Sequence, residues 1–107
     1  MATQPLSDIA KTIRSKNAGV DKITFDVIFA DRGDYDLVRC SGVLSRAAVC
    51  RIFGIPDSRI TDYVEFHPAL AIKFTIMRSL TSGSPGDADT FGSQQHGPLL
   101  QVPVPID

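Results

Sequence analysis

Between residues 22 and 31 the chain reads KITFDVIFAD, and this stretch limits what the remainder can become. Ile23, Phe25, Val27 and Phe29 recur at every second residue, with Thr24, Asp26 and Ile28 between them. A period of two places the four apolar side chains on one face of a β-strand. A strand with one wholly apolar face has to be covered, so the chain must build a sheet and lay a second hydrophobic layer on it.

The following segments supply that layer and more strands. Asp31, Arg32, Gly33 and Asp34 form a turn, and a helical pattern then runs from Tyr35 through Leu37 and Val38. It breaks at Ser41 and Gly42 and resumes with Val43, Leu44, Ala47, Ala48, Cys50, Ile52 and Phe53. Gly42 inside the span predicts two short helices with a kink between them, Ser45 capping the second. Gly54, Ile55, Pro56 and Asp57 stop it. Ile60, Val64 and Phe66 are expected on one face of the next strand, opposite Thr61, Tyr63 and Glu65. After a turn at His67 and Pro68, Leu70, Ile72, Phe74 and Ile76 alternate with Ala71, Lys73, Thr75 and Met77, which predicts an antiparallel hairpin.

The two ends are read in the same way. Leu6, Ile9, Ala10 and Ile13 recur at helical spacing, so 7–16 reads as a short amphipathic helix with Ser7 or Asp8 as its cap. Arg14 and Lys16 then fall in its last turn, where cations suit the helix dipole or hold an anion. Near the other end Leu100, Val102 and Val104 alternate, but Pro103 and Pro105 lack ladder donors, which confines this strand to a sheet edge. The expected fold is α+β: a ferredoxin-like two-layer sandwich, with a mostly antiparallel four-stranded sheet, helices on one face and a long polar loop before the last edge strand. A right-handed crossover makes strands 23–29 and 60–66 parallel, with 70–77 between them, and the second helix of the motif shrinks into 89–96. The 107 residues form one domain, 1–107.

Charge narrows the classes of function. Eleven Lys and Arg stand against 12 Asp and Glu, so no net field draws in nucleic acid or an anionic membrane. The N-terminal residues lack the apolar run of a secretory signal, and a cytoplasmic protein is expected. Cys40 and Cys50 match neither a redox CxxC nor a zinc pattern, and are read as reduced thiols half buried on a helical face.

The stretch 81–98, TSGSPGDADTFGSQQHGP, has no hydrophobic period and a single large apolar residue, Phe91. Loops of this length inside a domain are usually functional or disordered. Three readings stay open. His96 serves as general base with Asp87 or Asp89 on its other ring nitrogen, while Ser82, Ser84, Gln94 and Gln95 bind substrate oxygens. Alternatively, Asp87, Asp89 and His96 hold a metal ion, or the loop docks on a partner. The stretch contains neither a nucleophile elbow, nor a phosphate loop, nor an EF-hand. His67 is read as a turn residue.

LSDIAKTIRSKNAG, ITFDVIF, the GIP turn and above all SGSPGDADTFGSQQHGPLL resemble a small bacterial family of uncharacterised domains, encoded beside or fused to AtuA-type acyclic terpene utilisation proteins. The chain is also similar, more weakly, to the small ferredoxin-like domain of AtuA-like proteins, through Leu6, Asp8, Ile9, Ala10, Arg14, Ser15 and Lys16. It departs from that domain where Gly83, Gly86 and Gly92 are interleaved with acids, glutamines and a histidine. The resemblance implies a partner subunit and a role in breaking down branched or carboxylated small molecules, including coenzyme A thioesters. The expectation is therefore the small subunit of a hetero-oligomeric catabolic enzyme with lyase, hydratase or isomerase chemistry. It contributes the 82–96 loop with Arg14 and Lys16 to a site completed by an AtuA-type large protein. The alternative is a non-catalytic binding or regulatory homo-oligomer. No residue pattern names a cofactor.

Overall fold

The computed structural model describes residues 2–19, 21–77 and 97–106. In chain order these form β1 (Thr3–Pro5), α1 (Leu6–Ile9), β2 (Thr12–Asn17), β3 (Lys22–Ile28), α2 (Arg32–Ser41) and α3 (Arg46–Phe53). They continue with β4 (Ile60–Phe66), β5 (Ala71–Met77), α4 (Gly97–Leu100) and β6 (Pro103–Pro105).

β3 is the strand expected from its alternation, and it lies inside a four-stranded antiparallel sheet of order β2-β3-β5-β4. β3 and β4 each pair antiparallel with β5, so they run parallel to one another with β5 between them, as the crossover requires. Phe25 sits opposite Phe74 and Val27 opposite Ile72, which builds the inner face of the sheet.

The crossover is two capped helices. Asp31 accepts from the Asp34 amide at 2.8 Å to start α2, and Gly42 ends it in the left-handed region at φ 78°. Ser45 accepts from the Ala48 amide at 3.1 Å to start α3, which Gly54 ends at φ 65°. These helices cover the inner face. Phe53 of α3 comes within 5.0 Å of Phe25 and 6.3 Å of Phe74, ring centre to ring centre, and Tyr35 of α2 reaches Phe29 at 6.0 Å. Leu6, Val38, Val49 and Leu99 are fully buried in the same core.

Three expectations are corrected. The helix expected at 7–16 stops at Ile9, and Thr12–Asn17 is an edge strand paired along β3. Its helical period came from Ile9 and Ile13, but Ile13, Ser15 and Asn17 also alternate with Thr12, Arg14 and Lys16. The unpaired edge of β3 decides between the two periods, because strand preference follows the neighbour a segment packs against. The final strand is an edge strand but not of this sheet: Pro103–Pro105 pairs with Thr3–Pro5 in a separate two-stranded ribbon, where missing proline donors cost little. Thirdly, the faces of β4 are exchanged. Pairing passes from Ile60 opposite Ile76 to Asp62 opposite Thr75, so Thr61 is an extra residue. A one-residue slip moves every later side chain to the other face. Tyr63 consequently points inward and stacks on Phe74, while Val64 and Phe66 point out and are exposed. The helical turn expected at 89–96 lies outside the described residues.

Candidate functional site

The outer face of the sheet, away from α2 and α3, collects the charged side chains. Strand register sets Arg14 beside Asp26, Asp26 beside Lys73, and Lys73 beside Val64, one row across all four strands. Asp26 interrupts an apolar run, and its side chain is only 4% exposed. Arg14 Nε donates to Asp26 Oδ2 at 3.0 Å, and Lys73 Nζ stands 3.9 Å from Oδ1. Oδ1 is buried and has no hydrogen-bond donor within reach. One carboxylate thus holds two half-exposed cations side by side. In the next row Thr24 and Thr75 share a hydroxyl–hydroxyl bond at 3.0 Å, flanked by Lys16 on β2 and Asp62 on β4.

A second cluster forms where α2 meets the tip of the β4–β5 hairpin. Tyr35 is fully buried, and its hydroxyl lies 2.7 Å from Nδ1 of the exposed His67. The turn that carries His67 ends at Leu70, whose φ of 51° is unusual for a residue with a side chain. The guanidinium of Arg32 stands 5.9 Å from the centre of the Tyr35 ring and that of Arg39 5.7 Å from it. Both arginines are tied to Asp36, at 3.2 and 3.0 Å. The hydrogen bond from Arg39, reinforced by Arg32, holds the Asp36 carboxyl below its usual range. Burial first, and the charge of Glu65 second, push the Tyr35 hydroxyl above the usual phenol value, so it stays protonated. On the inner face Tyr63 donates to the Leu44 carbonyl, and burial pushes its hydroxyl up to about 12.

A groove of about 290 Å³ between α3 and the β6 segment is lined by Val43, Ala48, Arg51, Ile52, Val102 and Pro103. Its lining has no acid–base group apart from Arg51. Among the described residues no three His, Cys, Asp or Glu side chains come together as metal ligands. Cys40 and Cys50 are free thiols, the first exposed and the second half-buried. No helix among the described residues is long and apolar enough to cross a membrane.

Of the residues expected to form a site, His96, Asp87, Asp89, Ser82, Ser84, Gln94 and Gln95 lie outside the described residues. Arg14 and Lys16 are on an edge strand of the sheet and not in the last turn of a helix, so no helix dipole bears on them. Two residues apart on one strand, they share the outer face. Sequence reasoning missed Asp26 and Lys73 as their companions. The available signal was an aspartate in the middle of an apolar strand, since carboxylates are almost never fully buried unless paired. Tyr35 as the partner of His67 had no such signal, because 32 residues separate them.

Residues 6–103 match a protein family described as a domain of unknown function (DUF4387). Neither the curated proteins nor the solved structures contain a match to the chain.

Proposed function

The chain belongs to the DUF4387 family, and from that premise we propose that it is the small subunit or partner domain of a hetero-oligomeric catabolic enzyme. The large subunit is an AtuA-type protein, and the substrate is a carboxylated or coenzyme A-linked small molecule undergoing lyase, hydratase or isomerase chemistry. The observation that carries this reading is the row Arg14–Asp26–Lys73 on the outer face of the sheet. Arg14 uses one donor on Asp26, and a guanidinium has five, arranged in a fork that fits a carboxylate. Lys16, on the same face, adds a second cation to the strand.

An exposed sheet face is a poor site in isolation, because small-molecule sites are concave and bury most of their ligand. A second protein laid over this face closes it and strengthens its electrostatics by excluding water. Residues 82–96, which follow β5 in the sequence, supply His96, Asp87 and Asp89 as the acid–base groups, and Ser82, Ser84, Gln94 and Gln95 as ligands for substrate oxygens. The architecture suits this role as a ferredoxin-like variant in which the outer strand beside β3 comes from the N-terminal side. Free thiols at Cys40 and Cys50 fit a reducing, cytoplasmic setting.

Exposed Val64, Phe66 and Met77 favour a second reading, a non-catalytic homo-oligomeric binding module. One experiment separates the two. The chain is coexpressed with an AtuA-type large protein and examined by size exclusion with light scattering, followed by assays on the complex. A defined hetero-complex that is active only when assembled, and loses substrate affinity with Arg14→Ala, is expected. A chain that stays a homo-oligomer in the presence of the large protein would sink the proposal.

A further inference from the structure

On the helical side of the sheet, α3 and the segment leading into β6 leave between them the groove of about 290 Å³. Ala48 and Val102, 3% and 8% exposed, form its floor, and Val43, Ile52 and Pro103 form its walls. Ala48 and Ile52 are four residues apart and share one face of α3, so the small alanine side chain is what keeps this part of the groove open. The β6 side presents no free backbone donor. The Val102 amide donates to the Leu99 carbonyl at 3.2 Å, the Val102 carbonyl accepts from the Leu6 amide at 2.9 Å, and Pro103 has no N–H.

Arg51, exposed and in the last turn of α3, is the one charged side chain of the lining. Among the described residues it has neither a hydrogen bond nor an ion pair, whereas Arg14, Arg32, Arg39, Arg46 and Arg59 each donate to a carboxylate or a carbonyl. The dipole of α3 favours a cation at that end but leaves all the guanidinium donors unused. A guanidinium stays charged at any working pH, and its fork fits a carboxylate through two parallel hydrogen bonds. A single cation beside an apolar hollow is matched by a single anionic head on a hydrocarbon body. A neutral molecule leaves the fork unused, a cationic head is repelled, and a doubly charged phosphate is only half balanced. An apolar cavity of about 150 Å³ takes up benzene, so a groove of about 290 Å³ has room for a body of roughly six to ten carbons.

We propose that the groove between α3 and β6 is a binding site for a small monocarboxylate with a hydrocarbon body, its carboxylate on the Arg51 fork and its body over Ala48 and Val102 between Val43, Ile52 and Pro103. The site lies on the opposite side of the sheet from Arg14, Asp26 and Lys73, and it does not rest on the hetero-complex reading. Burial of the hydrocarbon supplies affinity, and Arg51 selects the sign of the head group.

The test titrates the full chain with hexanoate, hexanol, hexylammonium and acetate, each followed through the methyl NMR signals of Val43, Ala48, Ile52 and Val102. Hexanoate should shift these signals saturably, with a millimolar or tighter Kd, hexanol and hexylammonium should bind more weakly, and acetate should leave the signals in place. Arg51→Met, which keeps the length of the side chain without its charge, should weaken hexanoate at least about fivefold and leave hexanol unchanged. Ala48→Leu, which fills the groove, should abolish binding of both, and thermal melts check that the two variants fold. Should Ala48→Leu unfold the chain, the wild-type shifts and Arg51→Met still decide. Groove signals that no probe moves overturn the inference. So do equal affinities for hexanoate and hexanol that Arg51→Met leaves alone, which would make the groove a plain apolar surface, and hexanoate shifts confined to the Arg14 side of the sheet, which would place the carboxylate there. Each of these outcomes leaves the hetero-complex to be decided by coexpression.

Discussion

The hydroxyl of Tyr35, buried beneath α2, lies 2.7 Å from Nδ1 of His67 at the tip of the β4–β5 hairpin, across 32 residues of sequence. Burial keeps the phenol protonated, and a phenol is a better donor than acceptor, so Tyr35 is expected to donate and Nδ1 to accept when the imidazole is neutral. In that arrangement the neutral ring carries its proton on Nε2, the nitrogen not held by Tyr35. Nitrogen chemical shifts of His67 in the neutral form should show the Nε2–H tautomer. In Tyr35→Phe they should show a mixture, with a stability loss of about 1 kcal/mol for the lost hydrogen bond. An unchanged tautomer in that variant would mean that Tyr35 does not set it.

The two tyrosines of the chain also give it an alkaline signature. Tyr35 and Tyr63 are both raised above the usual phenol value of 10.0, chiefly by burial, and Tyr63 reaches about 12. For a group whose pKa is higher in the folded state, the stabilisation is complete below the unfolded value and disappears as pH rises through the folded one. Stability should hold up to about pH 10 and decline between roughly 10 and 12. Absorbance at the tyrosinate band should show little ionisation near pH 10 while the protein stays folded. Tyr63→Phe should remove the ionisation near 12. A full transition centred near 10 in native protein would contradict the buried geometry of both rings.

On the outer sheet face, the two cations around Asp26 are not equivalent to the carboxylate between them. Arg14 and Lys73 are about half exposed, so each loses little when it loses its partner, whereas Asp26 is buried and depends on them. Lys73→Met, removing an ammonium already 3.9 Å away, should cost less than about 0.5 kcal/mol. Arg14→Met, which strips the donor at 3.0 Å, should cost about 1–3 kcal/mol by leaving a buried charge without its hydrogen bond. Urea titrations of the two variants check the order. If Lys73→Met costs more than Arg14→Met, Asp26 is held by the lysine instead.

These pairs show how far the sequence could be read. The caps at Ser45, Gly42 and Gly54 were legible because a cap is a local event, settled within one helical turn. The placement of β3, β5 and β4 was legible because the handedness of a crossover leaves few alternatives. The exchanged faces of β4 were not, since an inserted residue at Thr61 reads like any other position until its partner Thr75 is seen beside Asp62. Nor was the strand at Thr12–Asn17, which contains one apolar residue, Ile13, and owes its conformation to β3. The candidate site divides in the same way. Arg14 and Lys16 were found by residue type, but Asp26 and Lys73 join them only through register.

The turns that were legible also make a clean measurement of backbone cost. Gly42 and Gly97 both have open space where a Cβ would go, with nothing within 4 Å, yet only Gly42 has a left-handed φ, 78°. Substituting alanine at each therefore changes no packing and differs only in the conformation that the new Cβ must accept. Gly42→Ala should destabilise by about 1–2 kcal/mol, the cost of the left-handed region for an L-residue. Gly97→Ala, in the first turn of α4, should be neutral or slightly stabilising, since alanine has less freedom to lose on folding. Gly54→Ala, at φ 65° with equally open space, should follow Gly42 and not Gly97. Denaturant midpoints with unchanged slopes would attribute the difference to native-state strain. If all three variants are equally stable, the junctions ending α2 and α3 relax out of the left-handed region without loss, and the two glycines are not needed to close the crossover.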